Sequence, residues 1–273
     1  MNLEVLVVSL KHATGRRNAI QSQLDRLKIP FRFIDAVNGR DIPEDKLTKI
    51  QSDQRTFQDY NRNLGPGEIG CSLSHQEIYR QVVGHNLDGA IVLEDDVLLD
   101  PCFADFFRAL EQLPSLDYGV ILLGGGEYRE KHVNKNYYSW LKRSRNPTPI
   151  PGTHLRVYQI ISGHKYAVRT CGYFISQTAA KRLDLFSPHN KTLADDWKAF
   201  VTLGVLEKIN IIQPYLLKHP IDISDSTIQI DRLSHAESSG KISLIQHVKR
   251  ICGIYQIKYF TALLAHKIKN YTN

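Results

Sequence analysis

Short apolar runs and amphipathic stretches alternate along the chain. Glu4 to Leu10 is apolar and β-branched after its first residue and predicts a buried strand. Lys11 to Gly15 is a polar loop. Arg16 to Leu27 is helical, with Ile20, Leu24 and Leu27 on one face, and Pro30 ends it before a second strand over Phe31 to Val37. A strand, a helix and a strand in this order predict a parallel α/β unit of the nucleotide-binding type. Ile42 to Asn63 is polar and predicts a short helix and a loop. Gly65-Pro66-Gly67 punctuates, Glu68 to His85 is helical, and Gly89 to Leu93 is a third buried strand.

The second half continues the alternation less regularly. Pro101 to Leu113 predicts a helix with proline near its first turn, and Tyr118 to Leu123 a strand running into Gly124-Gly125-Gly126. Glu127 to Thr153 has no apolar period, is rich in Tyr, Lys, Arg and Pro, and reads as a long loop framing a substrate. Arg156 to Ser162 and Thr170 to Ser176 predict paired strands near the site. Thr178 to Phe186 and Leu193 to Leu203 predict helices, the latter opening at Ala194-Asp195-Asp196-Trp197. Asn210 to Leu217 predicts a strand ending near His219-Pro220. No internal repeat is present.

Composition changes this picture little. The 273 residues are 42% hydrophobic and 23% charged, ordinary for a globular protein. No apolar stretch reaches the roughly 20 residues that span a bilayer. The first apolar run is too short for a signal peptide and is preceded by Glu4, so a cytosolic location is expected. Cys71, Cys102, Cys171 and Cys252 form no C-x-x-C pair and read as incidental thiols, neither a disulfide framework nor a zinc site.

Charge distribution changes it more. No Asp or Glu follows Glu237, while Lys241, Lys249, Arg250, Lys258, Lys267 and Lys269 carry six of the seven net positive charges. Apolar and aromatic residues interleave with these bases. Two domains follow: a body over 1–237 and a basic amphipathic helical extension over 238–273. Such a helix lies on an anionic membrane or packs on the body with its bases in water. No nucleic-acid motif accompanies the charge, and no nucleic-acid partner is expected.

The chemistry concentrates where the third strand ends. Glu94-Asp95-Asp96 follows Ala90-Ile91-Val92-Leu93 directly, so three carboxylates arrive at one strand end. Open α/β sheets bind ligands there. Adjacent carboxylates resist ionising together unless a cation or solvent offsets them, and a hard divalent cation bridging to a phosphate suits the position. A solvated acidic turn is the plainer alternative. Asp195-Asp196 supplies a second acidic site at a helix start, where Asp is also a common cap. With both sites in use, the first holds metal and diphosphate. The second takes a proton from an attacking hydroxyl.

Six segments in order resemble glycosyltransferase family 25, the bacterial lipooligosaccharide and lipopolysaccharide glycosyltransferases of the β-1,4-galactosyltransferase kind. They are Val7-Val8-Ser9-Leu10 with Arg16-Arg17; Phe33-Ile34-Asp35-Ala36-Val37; Gly67-Glu68-Ile69-Gly70-Cys71-Ser72-Leu73-Ser74-His75; Val92-Leu93-Glu94-Asp95-Asp96-Val97; Thr170-Cys171-Gly172-Tyr173-Phe174-Ile175-Ser176; and Asp196 before bulky residues. The third is the most distinctive. The resemblance implies an α/β fold of the GT-A type, Rossmann-like, with a metal-dependent nucleotide-sugar site and inversion at the anomeric carbon.

On that resemblance Asp96 ligates Mn²⁺ or Mg²⁺, with Asp95 and His219 as further candidate ligands, His219 having a structural alternative before Pro220. Glu94 and Asp95 hold ribose, sugar or metal-bound water. Ser9, Leu10, Arg17, Asp35 and Ala36 border the nucleotide. Ser74 and His75 face the donor, or His75 is a satisfied helix histidine. Asp195 and Asp196 compete as the base, and register with Trp197 and Phe200 favours Asp196. The expected activity moves a hexose, galactose from UDP-galactose first and glucose next, onto a lipooligosaccharide or lipopolysaccharide acceptor. The tail then holds the enzyme peripherally on the cytoplasmic face of the inner membrane. A metal-independent glycoside hydrolase and a non-catalytic carbohydrate-binding protein are the rivals.

Overall fold

Burial on both faces explains why the first strand reads as a continuous apolar run. β1, Leu3–Ser9, buries every side chain from Val5 to Ser9. Helix α1, Thr14–Leu27, buries Ile20 and Leu24 and returns the chain to β2, Arg32–Asp35. β2 pairs parallel with β1, placing Asp35 opposite Ser9. After α2, Glu44–Gln51, and α3, Pro66–Gly84, strand β3, Gly89–Glu94, pairs parallel on the other side of β1, with Glu94 opposite Val8. Ser9, Asp35 and Glu94 therefore meet at the carboxyl ends of three neighbouring parallel strands. β2 and β3 flank β1, so the connections diverge there and leave a crevice.

This computed structural model describes residues 2–52, 63–115, 117–130, 133–186 and 192–220. The basic extension over 238–273 lies outside them. The described elements continue with β4, Leu98–Leu99; α4, Phe103–Glu111; β5, Val120–Leu122; β6, Glu127–Glu130; β7, Val133–Asn136; β8, Lys142–Arg143; β9, Thr148–Pro149; and β10, Arg156–Ser162. Then come β11, Gly172–Ser176; α5, Gln177–Phe186; α6, Trp197–Thr202; β12, Ile209–Gln213; and β13, Leu217–Lys218. The main sheet runs β2-β1-β3-β11-β5-β12-β10-β8, with β9 also on β10. β11 is antiparallel to both β3 and β5, and β12 is parallel to β5, so β11 is reversed among five strands sharing one direction. The fold is α/β, as expected, with a mainly parallel central sheet.

Helices cover both faces. Val5, Val7, Ile91, Leu93 and Phe174 pack with Ile20 and Leu24 of α1 and Phe103, Phe106 and Leu110 of α4. Leu6, Val8, Val92 and Tyr173 pack with Ile78, Tyr79 and Val82 of α3, Leu183 of α5, and Trp197 and Phe200 of α6. Each fully buried side chain of this size contributes about 1.5–3 kcal/mol.

The Gly-Glu-Ile-Gly-Cys…Ser-His segment builds the start of α3. Pro66 opens the helix, and Glu68 Oε2 accepts the Gly65 N–H at 2.9 Å. Gly70 lies against the β2 exit loop, where a Cβ would meet Val37 O at 2.6 Å and Gly39 N at 2.7 Å. Only glycine permits that approach. Gly124 has φ +147°, and a Cβ there would meet Leu217 O at 2.2 Å. That close approach brings β13, and His219 just after it, to the end of β5.

Four sequence expectations are corrected. Arg156–Ser162 and Gly172–Ser176 do not pair with each other; β5 and β12 lie between them. Period-2 patterning reveals a strand but not its partner. Glu127 to Thr153 is not irregular: β6 and β7 form a hairpin, a 3₁₀ turn covers Tyr137–Trp140, and β8 and β9 join the sheet edge. Its strands are short and solvent-facing and lack an apolar period. Asn210 to Leu217 is two strands separated at a cis Gln213–Pro214 bond. The helix expected over Leu193 to Leu203 begins only at Trp197, because Asp196 caps it from outside.

Candidate active site

Arg17 organises the side of the crevice between β1 and β2. Its Nη2 donates to Ser9 O at 2.9 Å and to Asp35 Oδ1, and its Nε donates to Leu10 O at 3.2 Å. Its guanidinium stacks 4.7 Å from the Phe33 ring centroid. The Ala36 N–H donates to Ser9 O at 2.9 Å. The structure thus brings together Ser9, Leu10, Arg17, Asp35 and Ala36. Ser74 sits deeper: its Oγ accepts the Val37 N–H at 2.8 Å and donates to Gly70 O at 2.7 Å. It ties the β2 exit to α3 and has no hydrogen left for a ligand.

The three acids have distinct surroundings. Asp95 is buried, accepts the Ser9 hydroxyl at 2.5 Å and lies 3.4 Å from Arg16 Nη1. Burial raises its pKa against the pull of Ser9 and Arg16. Glu94 accepts the Thr170 hydroxyl at 2.5 Å. Burial, then the Asp96 charge, push its pKa up to about 7, against the Thr170 hydrogen bond. Asp96 moves the other way. Burial opposes its ionisation, but the His219 hydrogen bond and charge, with Arg16, outweigh that and leave its pKa lowered.

Asp96 and His219 offer a cation site. His219 Nε2 lies 3.4 Å from Asp96 Oδ2. Nδ1 is 2.7 Å from the Pro220 carbonyl, which only accepts, so Nδ1 carries a proton. Asp96 Oδ1 is buried with no hydrogen-bond partner among the described residues. A carboxylate oxygen without a donor, with an imidazole nitrogen against the other oxygen of the same carboxylate, is a donor set that suits Mn²⁺ or Mg²⁺. Both oxygens of Asp95 already face Ser9 and Arg16, so Asp95 positions rather than completes this set.

Asp195 and Asp196 separate clearly. Asp196 Oδ1 accepts the Ala199 N–H at 3.0 Å and caps α6. Asp195 Oδ2 accepts the Arg169 N–H at 3.0 Å, while Trp197 Nε1 donates to Arg169 O at 3.0 Å. These bonds hold Arg169 at φ +73°, an uncommon conformation for a side-chain-bearing residue. Arg169 adjoins Thr170, which holds Glu94, and the Asp195 charge acts on Glu94. Asp195 is thus linked to Glu94 through the Arg169–Thr170 backbone.

His75 is 1% exposed, with Nδ1 2.8 Å from the Tyr173 hydroxyl, and burial lowers its pKa to about 3. Several neighbours escape sequence reasoning. Thr170 opens the Thr-Cys-Gly-Tyr block but carries no signal of its own, and Arg16 stands beside the recognised Arg17. Glu127 Oε2 accepts the His219 N–H at 3.3 Å, and only its position after the glycine run marks it.

A mainly parallel α/β sheet with an acidic motif at the carboxyl end of β3 defines the class of fold. Residues 2–196 match the model of glycosyltransferase family 25 (LPS biosynthesis protein), and the chain belongs to that family. Procollagen galactosyltransferase 1-B of Xenopus laevis is 29% identical over 199 residues, 71% of this chain and 30% of that protein. The probable inactive glycosyltransferase 25 family member 3 of Rattus norvegicus is 30% identical over 202 residues, 71% of this chain and 32% of that protein. The chain thus spans about a third of the length of these relatives. A solved glycosyltransferase involved in the glycosylation of the major capsid of PBCV-1 gives a TM-score of 0.41 at 9% identity, covering 87% of this chain and 100% of that one. That likeness is too distant to bear on function.

Proposed function

We propose that this chain is a metal-dependent, inverting glycosyltransferase that moves a hexose from a UDP-sugar to a hydroxyl of a lipooligosaccharide or lipopolysaccharide acceptor. The observation that carries the reading is the buried Oδ1 of Asp96, without a partner among the described residues, with His219 Nε2 3.4 Å from the other carboxylate oxygen, at the strand end where such folds bind nucleotides. The names of the relatives point to galactose, and the family's description points to the acceptor. Some relatives are named as inactive, so activity rests on the residues of this chain.

In this reading Asp96 and His219 hold Mn²⁺ or Mg²⁺. When bound, the cation supplies positive charge that stabilises the nucleoside diphosphate as it leaves with the bond's electron pair. Ser9, Arg17, Asp35 and Ala36 border the nucleoside, and Asp95 braces Ser9 and Arg16. Glu94 borders the sugar. Asp195 takes the proton of the acceptor hydroxyl while its oxygen attacks the anomeric carbon opposite the leaving group. The β6–β7 hairpin, tied to His219 through Glu127, frames the acceptor.

The test is calorimetric titration of the purified chain with UDP-galactose, UDP-glucose and other UDP-sugars, with and without Mn²⁺. One UDP-hexose is expected to bind only with the metal present. Binding of none under either condition removes the transferase reading.

We also propose that the basic extension over 238–273 attaches the chain to anionic lipid on the cytoplasmic face of the inner membrane. Each Lys or Arg near such a surface is worth about 1 kcal/mol. Truncation after Gly240 is expected to weaken sedimentation with phosphatidylglycerol vesicles, most at low salt. Equal binding of truncated and full chains would remove the membrane role.

A further inference from the structure

Helix α3 turns a second donor set toward the acidic strand end. Cys71 and His75 are four residues apart, so they stand one above the other on one helix face. Glu94 reaches them from β3. One ligand atom from each of Cys71, His75 and Glu94 lies within 4.8 Å of the others. His75 Nε2 is 3.9 Å from Glu94 Oε1 and has no hydrogen-bond partner among the described residues, although His75 is almost wholly buried. An unsatisfied buried polar atom costs about 1–3 kcal/mol.

The chemistry of the three groups narrows what would satisfy it. Thiolate, imidazole and carboxylate together suit zinc and its borderline-soft neighbours, whereas magnesium and calcium take oxygen ligands. Bonds of roughly 2.0–2.3 Å in a tetrahedral site put ligand atoms about 3–4 Å apart, close to the observed His75–Glu94 separation. Tyr173 already orients the imidazole through Nδ1, as the outer partner of a metal-bound histidine does. Burial keeps His75 neutral, so no proton competes for Nε2.

We propose that Cys71, His75 and Glu94 form a binding site for a divalent transition metal of the zinc class, separate from the hard-cation position at Asp96. Binding releases the Cys71 thiol proton to solvent. Three protein donors leave the fourth position open to water or a ligand atom. Glu94 borders both positions, so occupancy of the new site would be felt at the donor side of the crevice.

The probe is Co²⁺, titrated into the full chain with ultraviolet and visible absorption recorded. One equivalent is expected to produce a thiolate-to-cobalt charge-transfer band, displaced by Zn²⁺. The band is expected to vanish in Cys71→Ser, to need at least tenfold more Co²⁺ in His75→Gln, and to persist in Asp96→Ala. Persistence in Asp96→Ala separates this site from the proposed donor site, so either can fail alone. Absence of the band from the wild type, its survival in folded Cys71→Ser, or its loss in folded Asp96→Ala overturns the proposal. Should Cys71→Ser not fold by circular dichroism, iodoacetamide labelling of the wild type decides. Zn²⁺ should slow labelling of Cys71 at least tenfold more than that of Cys102, and equal slowing overturns the site.

Discussion

Asp195→Asn is expected to lower sugar transfer by about 10²- to 10⁴-fold, the range for losing a positioned general base, while metal-dependent binding of the UDP-sugar changes less than twofold. The asparagine carbonyl can keep the bond from the Arg169 N–H, so Arg169, Thr170 and Glu94 stay in place. What disappears is the carboxylate's ability to accept the acceptor's proton. Asp196→Asn is the matched control. Asparagine caps a helix about as well as aspartate, so the bond from the Ala199 N–H and the start of α6 should persist with most of the activity. Rates of both variants under saturating donor and acceptor decide the matter. An inactive Asp196→Asn beside an active Asp195→Asn would give the base role to Asp196, and two active variants would sink the carboxylate-base mechanism.

Asp96→Ala is expected to abolish the Mn²⁺ dependence of UDP-sugar binding and to weaken that binding at least about 10- to 100-fold. Losing a group that only orients a metal ligand already costs that much, and here a ligand itself is removed. The argument rests on the contrast among the three acids. Asp95 is engaged by Ser9 and Arg16, and Glu94 by Thr170, its proton held to about pH 7. Asp96, whose pKa is lowered mainly by His219, is ionised at neutral pH and keeps one buried oxygen without a donor. Removing Asp96 also removes the charge that helps raise Glu94. Calorimetry with and without Mn²⁺ reads the effect, and wild-type affinity and metal dependence in the variant would rule out Asp96 as the ligand.

Much of the crevice is legible because its parts are local. An apolar run ending in Glu94-Asp95-Asp96 says that carboxylates sit at a strand end. The strand-helix-strand opening says that the neighbouring strands run parallel, which brings Ser9 and Asp35 to the same end. Less legible is the second half, where polar edge strands lack an apolar period and the hairpin of β6 and β7 hides in what reads as a loop. His219 is marked in the sequence by its strand end, yet only the close approach of Leu217 to Gly124 carries it to Asp96.

The sequence by itself determined the α/β class, the order of the first three strands, the acidic strand end and the family segments, because each is written in periodicity or in residues adjacent along the chain. Only the folded chain sets the reversed insertion of β11, the pairing of Asp96 with His219, the cluster of Cys71, His75 and Glu94, and the different backbone partners of Asp195 and Asp196. Those depend on contacts between residues far apart in the chain, and on the direction in which neighbouring side chains point once a helix cap fixes one of them. Neither is encoded in local spacing.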